Sequence, residues 1–404
     1  MTSHRPLAAV VAVVVSALLL SACASPDAAP VEPAGALSTS TPEATSSAPS
    51  PTGTATPEEA GSDADEIVWS NPNVPAAPQP RVNVPCAEIA TSSLRERALG
   101  VADVQSMDYE PGNGLTATSQ AGLLQCWWAD SSSEDVFSEL TISVLPDAFN
   151  EFDYESAHNE SPGTYKEVLG VDSDIDCSVY QKTQSCTMKF IIDDYWVEVT
   201  FNGATATVAK KSKAIDVALD LGRHIQSRLQ AAGAPAAAFV VPASAQKIWK
   251  SCKFVDKSKK LRLAVSSPSL VSPEIDERAM SQRDFAHKRG GLTSCYWHQK
   301  SEIPDGEVGE IELEMIPGGG WAYLDLRSRD IDFASEVPSY SVEPATVNGA
   351  EDAYLSCNET SYCALTALVG GSYLKVTAVT KDGDDVSAGV QAVKAMEYVI
   401  TRLP

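Results

Sequence analysis

The order of motifs in the second half of this chain repeats the order in the first half. Each half begins with a cysteine, followed by a segment whose last three residues are a cysteine, an aromatic residue and a tryptophan. A strand that ends in proline, two further cysteines, a hairpin and a helix then follow in that order. The matched features are Cys86 and Cys252, residues 122–128 and 290–297, residues 138–146 and 309–317, Cys177 and Cys186 with Cys357 and Cys363, residues 187–201 and 364–380, and residues 212–229 and 386–403. Chance could supply one shared motif but not six in one order. The sequence therefore predicts an internal duplication, with repeats at residues 81–232 and 240–404.

The periodicity of apolar residues predicts mixed secondary structure within each repeat. Residues 138–146 alternate apolar and polar side chains, as a half-buried strand does. Two further alternating segments turn at Asp193-Asp194 and at Gly370-Gly371, which predicts hairpins. Residues 212–229 place their apolar side chains on one helical face. We therefore expect the α+β class: two tandem disulfide-bonded domains, each an antiparallel sheet covered by helices.

The N-terminal segment has the three parts of an export signal. Two basic or weakly basic residues, His4 and Arg5, precede an apolar run over residues 7–20, which is too short to span a bilayer comfortably. The run closes on Leu20-Ser21-Ala22-Cys23, which resembles the lipobox of bacterial lipoproteins. The resemblance implies that residues 1–22 are a signal peptide and that Cys23 is the lipid-modified first residue of the mature chain. One acyl chain binds a bilayer only marginally, so stable attachment needs two or three chains, such as palmitate, on this cysteine.

Residues 23–80 are rich in Pro, Ala, Ser, Thr and Glu and contain almost no large apolar residue before Ile67. Such a composition cannot bury enough surface to offset the entropy of ordering the chain. We predict a disordered tether that holds the repeats away from the bilayer, on its extracytoplasmic face. A glycosylated stalk fits the same composition.

The charge balance argues against nucleic acid as a partner. The chain has 54 acidic and 30 basic residues and a formal net charge of −24, which repels nucleic acid and anionic lipid head groups. The expected membrane partner is therefore the bilayer interior, reached through Cys23. The one basic stretch runs from Lys247 to Arg262. We interpret it as a solvated helix face, with an anionic wall polymer or the acidic first repeat as alternative partners.

Nine cysteines leave eight when Cys23 is set aside, four in each repeat. An even number in an exported chain predicts disulfides, because nothing outside the membrane keeps thiols reduced. Four cysteines allow three pairings in each repeat. We favour Cys86 with Cys126, Cys177 with Cys186, Cys252 with Cys295, and Cys357 with Cys363. The long pairings would tie the first helix of each repeat to a central strand and add about 2–4 kcal/mol of stability each.

The sequence predicts no metal site, no cofactor and no catalytic centre. It has neither Cys-x-x-Cys knuckles nor paired histidines, which zinc sites prefer. The acidic clusters at residues 172–176 and 382–385 lack the spacing of a calcium loop, so we interpret them as solvated turns. No nucleophile elbow, metalloprotease motif or phosphate-binding glycine loop is present. We therefore expect a protein that is not an enzyme.

Aromatic residues are the candidates for ligand contact. Trp128 and Trp297 follow a predicted disulfide cysteine by two residues, and an aromatic at such a position is usually part of the core. Trp321 and Tyr323 follow the flexible Gly318-Gly319-Gly320. We predict that Trp321 and Tyr323 are exposed and contact a ligand.

Several of these features together resemble a known class of protein. The signal, the lipobox, the tether, the helix ending in Ala98-Leu99-Gly100 and the Cys126-Trp127-Trp128 motif are similar to those of actinobacterial secreted lipoproteins with domains of unknown function. Each repeat also resembles the extracellular sensor domains of mycobacterial serine/threonine kinases, which are disulfide-bonded α+β units with a groove. We expect a non-enzymatic binding or sensing module for a small molecule or an envelope protein, with its groove between a sheet and its helices or between the two repeats. The alternatives are an accessory protein that docks a membrane or wall enzyme, and an envelope hydrolase.

Overall fold

The computed structural model of this chain describes residues 74–101, 104–107, 113–130, 138–158, 165–166, 169–180, 183–204, 211–272, 280–300, 307–358, 362–380 and 385–404. All of them belong to one compact unit, Val68–Pro404. The predicted signal peptide, the predicted lipid anchor Cys23 and the predicted tether as far as residue 73 lie outside the described residues.

The described part of the first repeat contains a seven-stranded antiparallel sheet and helices on both of its faces. Its elements are α1 (Cys86–Ile89), α2 (Ser92–Leu99), β1 (Gln105–Met107), α3 (Asn113–Ala121), β2 (Leu124–Ala129), β3 (Glu139–Pro146), α4 (Phe149–His158), β4 (Tyr165–Lys166), β5 (Ser173–Tyr180), β6 (Thr183–Ile192), β7 (Tyr195–Ala204) and α5 (Lys211–Ala232). The strand order is β1-β2-β3-β7-β6-β5-β4.

The described part of the second repeat contains a six-stranded antiparallel sheet of the same topology. Its elements are α6 (Cys252–Val255), a 3-10 turn (Lys257–Lys259), α7 (Lys260–Ala264), α8 (Gln282–Arg289), β8 (Thr293–His298), β9 (Val308–Ile316), a 3-10 turn (Gly319–Ala322), α9 (Tyr323–Glu336), β10 (Tyr340–Pro344), β11 (Asp352–Asn358), β12 (Tyr362–Val369), β13 (Ser372–Thr380) and α10 (Asp385–Ile400). The order β8-β9-β13-β12-β11-β10 matches the first sheet strand for strand once β1 is left out. The predicted fold class is therefore confirmed.

Each sheet buries one face against the long C-terminal helix of its own repeat. Apolar residues of α5 pack on the first sheet, and those of α10 pack on the second, so each repeat has its own main core. Trp128 and Trp297 each expose only 1% of their surface in these cores, as predicted. The predicted hairpin turns also occur, at Asp193-Asp194 and at Gly370-Gly371. No helix in the described residues is both long enough and apolar enough to cross a membrane.

Four disulfides join the cysteines that the structure describes, and their pairing is the one favoured from the spacing. The Cys86–Cys126 and Cys252–Cys295 bonds tie α1 to β2 and α6 to β8. The prediction that these bonds reach a central strand is wrong, because β2 is second from the edge of its sheet and β8 is an edge strand. The two short pairings instead join residues directly opposite each other on neighbouring strands, β5 with β6 and β11 with β12.

The two repeats exchange helices where they meet. Ala117 of α3 lies five residues before Gly122, and Ala286 of α8 lies five residues before Gly291, so the two alanines are equivalent. Ala286 packs among apolar residues of the first repeat, including Trp196. Ala117 packs among apolar residues of the second, namely Ile316, Ala322, Leu326 and Tyr373. Each helix therefore covers the other repeat's sheet, and the junction has approximate two-fold symmetry.

Buried polar groups fix α8 on the first repeat. The amide of Gln282, almost fully buried, donates to the Trp196 carbonyl at 2.7 Å and accepts from the Ser143 hydroxyl. At the other end of α8, Arg289 pairs with Glu151 at 2.7 Å and donates to the carbonyl oxygens of Pro146 and Asp147. A buried polar group that lost these partners would cost about 1–3 kcal/mol, so the contacts select one orientation of the two repeats.

Candidate functional site

A cleft of about 580 Å³ lies at the junction of the two repeats. The first repeat contributes α3, β1 and the start of β2, and the second contributes residues 321–329 at the start of α9. We call the segment 74–82 the strap, and its residues 78–82 form the third part of the lining. The apolar lining side chains include Met107, Leu115, Leu123, Trp127, Trp321 and Leu326. Small-molecule sites are concave and mostly apolar, and this cleft has both properties.

The strap connects the two repeats before the first helix begins. Val74 packs beside Tyr354 of the second repeat, whereas Val82 belongs to the core of the first. Near its end, Arg81 accepts a backbone hydrogen bond from the N–H of Ala236 at 2.9 Å, and its side-chain Nε donates to the Ala236 carbonyl at 2.8 Å. Its guanidinium also pairs with Asp147. The strap is therefore held at both ends, although the sequence predicted a tether as far as residue 80.

Gly122 brings the strap close to α3. The residue has a φ of +79°, which favours glycine, and a Cβ at this position would lie 2.2 Å from Cδ of Arg81. Because Gly122 ends α3 and precedes β2, its lack of a side chain lets Arg81 pass directly beneath the helix end. This close approach shapes one wall of the cleft.

Glycine also positions Trp321 on the opposite wall. Gly320 approaches the Gly371 carbonyl so closely that a Cβ would lie 2.7 Å from the oxygen. The 3-10 turn that results places the half-buried Trp321 in the lining of the cleft, to which β2 contributes the half-buried Trp127. The structure thus places one of the two predicted contact residues in the cleft. The Nε1 atom of Trp321 is buried and has no hydrogen-bond partner among the described residues.

The prediction that Tyr323 is an exposed contact residue is wrong. Its side chain is 0% exposed and lies under α9, with its ring 5.6 Å from that of Tyr354. Burial raises the pKa of Tyr323, and the nearby Asp352 carboxylate raises it further. The glycine run suggested flexibility, but it allows tight backbone packing at the start of a helix, and the second residue after Trp321 then faces the sheet.

The ionisable groups that line the cleft are Arg81, Asp325 and Arg329. Arg329 pairs with Asp325 at 3.2 Å, one helical turn apart on α9, and both side chains are about half exposed. The described lining residues include no histidine and no lysine. The cleft therefore combines apolar and aromatic lining side chains with a half-exposed ion pair.

Two groups of titratable side chains with shifted pKa values lie outside the cleft, one beneath α4 and one beneath α9. Under α4, Lys189 lies 2.6 Å from Glu155 and 3.8 Å from Glu198. Burial raises the pKa of Glu198, and the charge of Lys189 offsets part of the effect. Under α9, burial raises the pKa of Asp330, while a hydrogen bond from Tyr354 partly offsets this rise. These groups satisfy one another across neighbouring elements, outside the cleft.

No group of three or more His, Cys, Asp or Glu side chains that could hold a metal ion occurs within the described residues. The acidic cluster at residues 172–176 was predicted to be a turn. Residues 173–176 instead begin strand β5, with Ile175 buried in the core. Three residues of the second cluster, 382–384, lie outside the described residues.

Comparison with known protein families, with curated proteins and with solved structures finds no match for this chain. The candidate site therefore depends on its own geometry. Sequence reasoning found Trp321 but missed Met107, Leu326, Arg329 and the strap. These residues come from both repeats and from the segment before them, and no local pattern indicates that they meet.

Proposed function

We propose that this protein is a lipid-anchored binding protein of the extracytoplasmic membrane face, without catalytic activity, and that it binds a small molecule in the cleft between its repeats. The anchor is Cys23, and the bilayer is its first partner. The observation that carries the binding proposal is the 580 Å³ cleft whose lining includes Trp127 of the first repeat and Trp321 of the second. Two indoles offer a flat, apolar surface for an aromatic ring or a lipid-like chain.

The rim supplies the polar part of recognition. Arg329 and Asp325 stand at the mouth of the cleft in an exposed ion pair that contributes little to stability. A ligand with an anionic or hydrogen-bonding head group would exchange this pair for contacts of its own, while its apolar body fills the cleft. The expected ligand is therefore an amphipathic small molecule.

The test uses the full chain and the fluorescent amphipathic anion 1-anilinonaphthalene-8-sulfonate. We expect saturable binding that is lost in Ser119→Trp, because Ser119 lines the cleft and an indole there would fill it. Trp321→Ala should weaken binding about tenfold or more through the loss of one stacking wall. Trp249→Ala is the matched control, because Trp249 lies outside the cleft and contacts Phe254 instead.

Equal binding by the native chain and Ser119→Trp, with unchanged circular dichroism, would refute the cleft as the binding site. The second candidate, an accessory protein that docks another envelope protein, would then be favoured. Leu324, Ile331 and Phe333 support it, because these large apolar side chains are 44–48% exposed on α9.

A further inference from the structure

A segment of the second repeat exposes both lysines and large apolar side chains, and the equivalent segment of the first repeat does not. Residues 247–263 contain six exposed lysines: Lys247, Lys250, Lys253, Lys257, Lys259 and Lys260. None of them forms an ion pair with another described residue. Two large apolar side chains lie among them, Phe254 at 59% and Leu263 at 60% exposure. We call residues 247–263 the basic patch.

The basic patch is held on a rigid support. Val255 and Leu261 are buried in the core of the second repeat, so Phe254, Leu263 and the lysines face away from it. The buried carboxylate of Asp256 pairs with Arg262 and accepts from the backbone N–H of Leu261 at 3.0 Å. These contacts lock α6 and α7 at a fixed angle, and the disulfide from α6 to β8 secures the whole segment.

The backbone of the turn between α6 and α7 is strained, and this turn carries exposed lysines. Ser258 and Lys259 both have a positive φ, 61° and 60°, although neither is glycine. Such residues cost about 1 kcal/mol or more each and persist where the surroundings determine the backbone. The result is a tip from which Lys257, Lys259 and Lys260 project into solvent.

The first repeat provides an internal comparison. The equivalent segment there consists of α1 and α2. It has the equivalent disulfide, Cys86–Cys126, and an equivalent buried residue, since Ile89 corresponds to Val255. Residues 86–101 contain no lysine, and none of their described apolar side chains is both large and exposed. Arg97 there is paired with Asp220 at 2.7 Å. The fold therefore does not require lysines or exposed apolar residues at this position.

We propose that the basic patch binds the surface of an anionic lipid bilayer, as a second contact beside the acyl chains. Lysines near a membrane surface gain about 1 kcal/mol each from anionic head groups, and exposed Phe and Leu side chains enter the interface. The inference rests on the proposed anchoring at Cys23, which brings the patch to the membrane. The rest of the chain is acidic, so the same field repels it and orients the molecule with the basic patch toward the bilayer. The net negative charge of the chain predicted that anionic lipid head groups are not partners, and the proposal makes the basic patch an exception to that prediction.

The experiment is sedimentation of the full chain, prepared without acyl chains, with phospholipid vesicles. We expect binding to vesicles that contain phosphatidylglycerol, much weaker binding to phosphatidylcholine alone, and loss of the difference at high ionic strength. Replacing Lys253, Lys257, Lys259 and Lys260 by Gln should weaken binding to the anionic vesicles about a thousandfold. Phe254→Ala with Leu263→Ala should weaken it about tenfold or more through lost apolar insertion.

Matched controls carry the same substitutions at exposed positions elsewhere. Lys→Gln changes at Lys213, Lys288, Lys300 and Lys394 remove the same charge, and Phe149→Ala with Leu324→Ala removes similar apolar surface. If the control and patch variants lose affinity equally, net charge alone drives binding and the proposal is refuted. Binding to a soluble anionic polymer but not to anionic vesicles would refute it as well and assign the patch to wall polymer.

Acylation of Cys23 is measured separately, from the mass of the protein isolated from its membrane. An acylated protein whose patch variants bind vesicles like the native chain would refute only the patch. A chain without acyl groups would refute the anchor, and with it the basis of the proposed membrane orientation.

Discussion

At the scale of single residues, surroundings change the chemistry of a side chain that the sequence presents as ordinary. Glu312 lies on β9, on the face of the second sheet opposite the main core. Burial raises the pKa of Glu312 above its usual value of 4.5, Lys375 offsets part of the effect, and Glu310 adds to it. At pH values just above 4.5, Glu312 is therefore protonated more often in the folded protein than in the unfolded chain.

Glu312→Gln should consequently flatten the dependence of stability on pH. A raised pKa in the folded state contributes stability that is complete below about pH 4.5 and is lost as the pH rises through the folded pKa. We expect the free energy of unfolding of Glu312→Gln, relative to the native chain, to increase from about pH 4 to about pH 7. Urea titrations at several pH values measure it. Glu343→Gln on the exposed edge strand β10 is the control, and a difference independent of pH would contradict the expectation.

At the scale of elements, the crossing of α3 and α8 decides how the two repeats meet. Gly290 ends α8 with an ordinary helical backbone, so its lack of a side chain serves packing rather than conformation. A Cβ there would lie 1.8 Å from the carbonyl oxygen of Ala117 on α3. The equivalent position in the first repeat is Ala121, which shows that only one of the two helix ends makes this contact.

Gly290→Ala should separate the two helices. Overpacking of this kind costs about 1–3 kcal/mol, and the backbone oxygen cannot rotate away as a side chain would. Amide hydrogen exchange should become faster in α3 and α8 while the α5 and α10 cores stay protected. Gly170→Ala adds a methyl group to open space at a φ of +74°, so it strains only its own turn and should leave exchange in α3 and α8 unchanged. Unchanged exchange in Gly290→Ala would mean that the helices do not approach so closely.

At the scale of the whole molecule, four disulfides restrict the unfolded chain to different extents. Two bonds close loops with sequence separations of 40 and 43 residues, and two join opposed strand residues separated by 9 and 6. The entropy that a bond removes from the unfolded chain increases with loop length. The long bonds should therefore stabilise each repeat more than the short ones.

Replacing both cysteines of a pair by Ala tests this ranking. Loss of Cys86–Cys126 should lower the free energy of unfolding by about 4 kcal/mol, and loss of Cys177–Cys186 by about 2.5 kcal/mol. The Cys252–Cys295 and Cys357–Cys363 pairs should differ in the same direction. Urea denaturation under oxidising conditions measures the values. A short pair as costly as the long pair of its repeat would show that native packing, rather than loop closure, sets the effect.

The fold followed from local patterns because each signal depends on residues close in the chain. The alternation in residues 138–146, the turn at Gly370-Gly371 and the helical stripe of residues 212–229 all became the predicted elements. The prediction that Tyr323 is exposed was wrong because a run of glycines before it is compatible both with a flexible loop and with a tightly packed helix start. Only the contact of Gly320 with Gly371, which is distant in sequence, distinguishes them.

The sequence by itself determined that two copies of one α+β unit would form, since periodicity and turn chemistry are local and the cysteine motifs are repeated. Spacing favoured one of three disulfide pairings in each repeat, and the folded structure selected that pairing. Tertiary structure alone decided the exchange of α3 and α8, the course of the strap and the cleft that they enclose. These depend on the shape and polarity of surfaces built from distant segments. Whether Ala117 fits against Gly290, or Gln282 reaches Trp196, is visible only once both sheets exist.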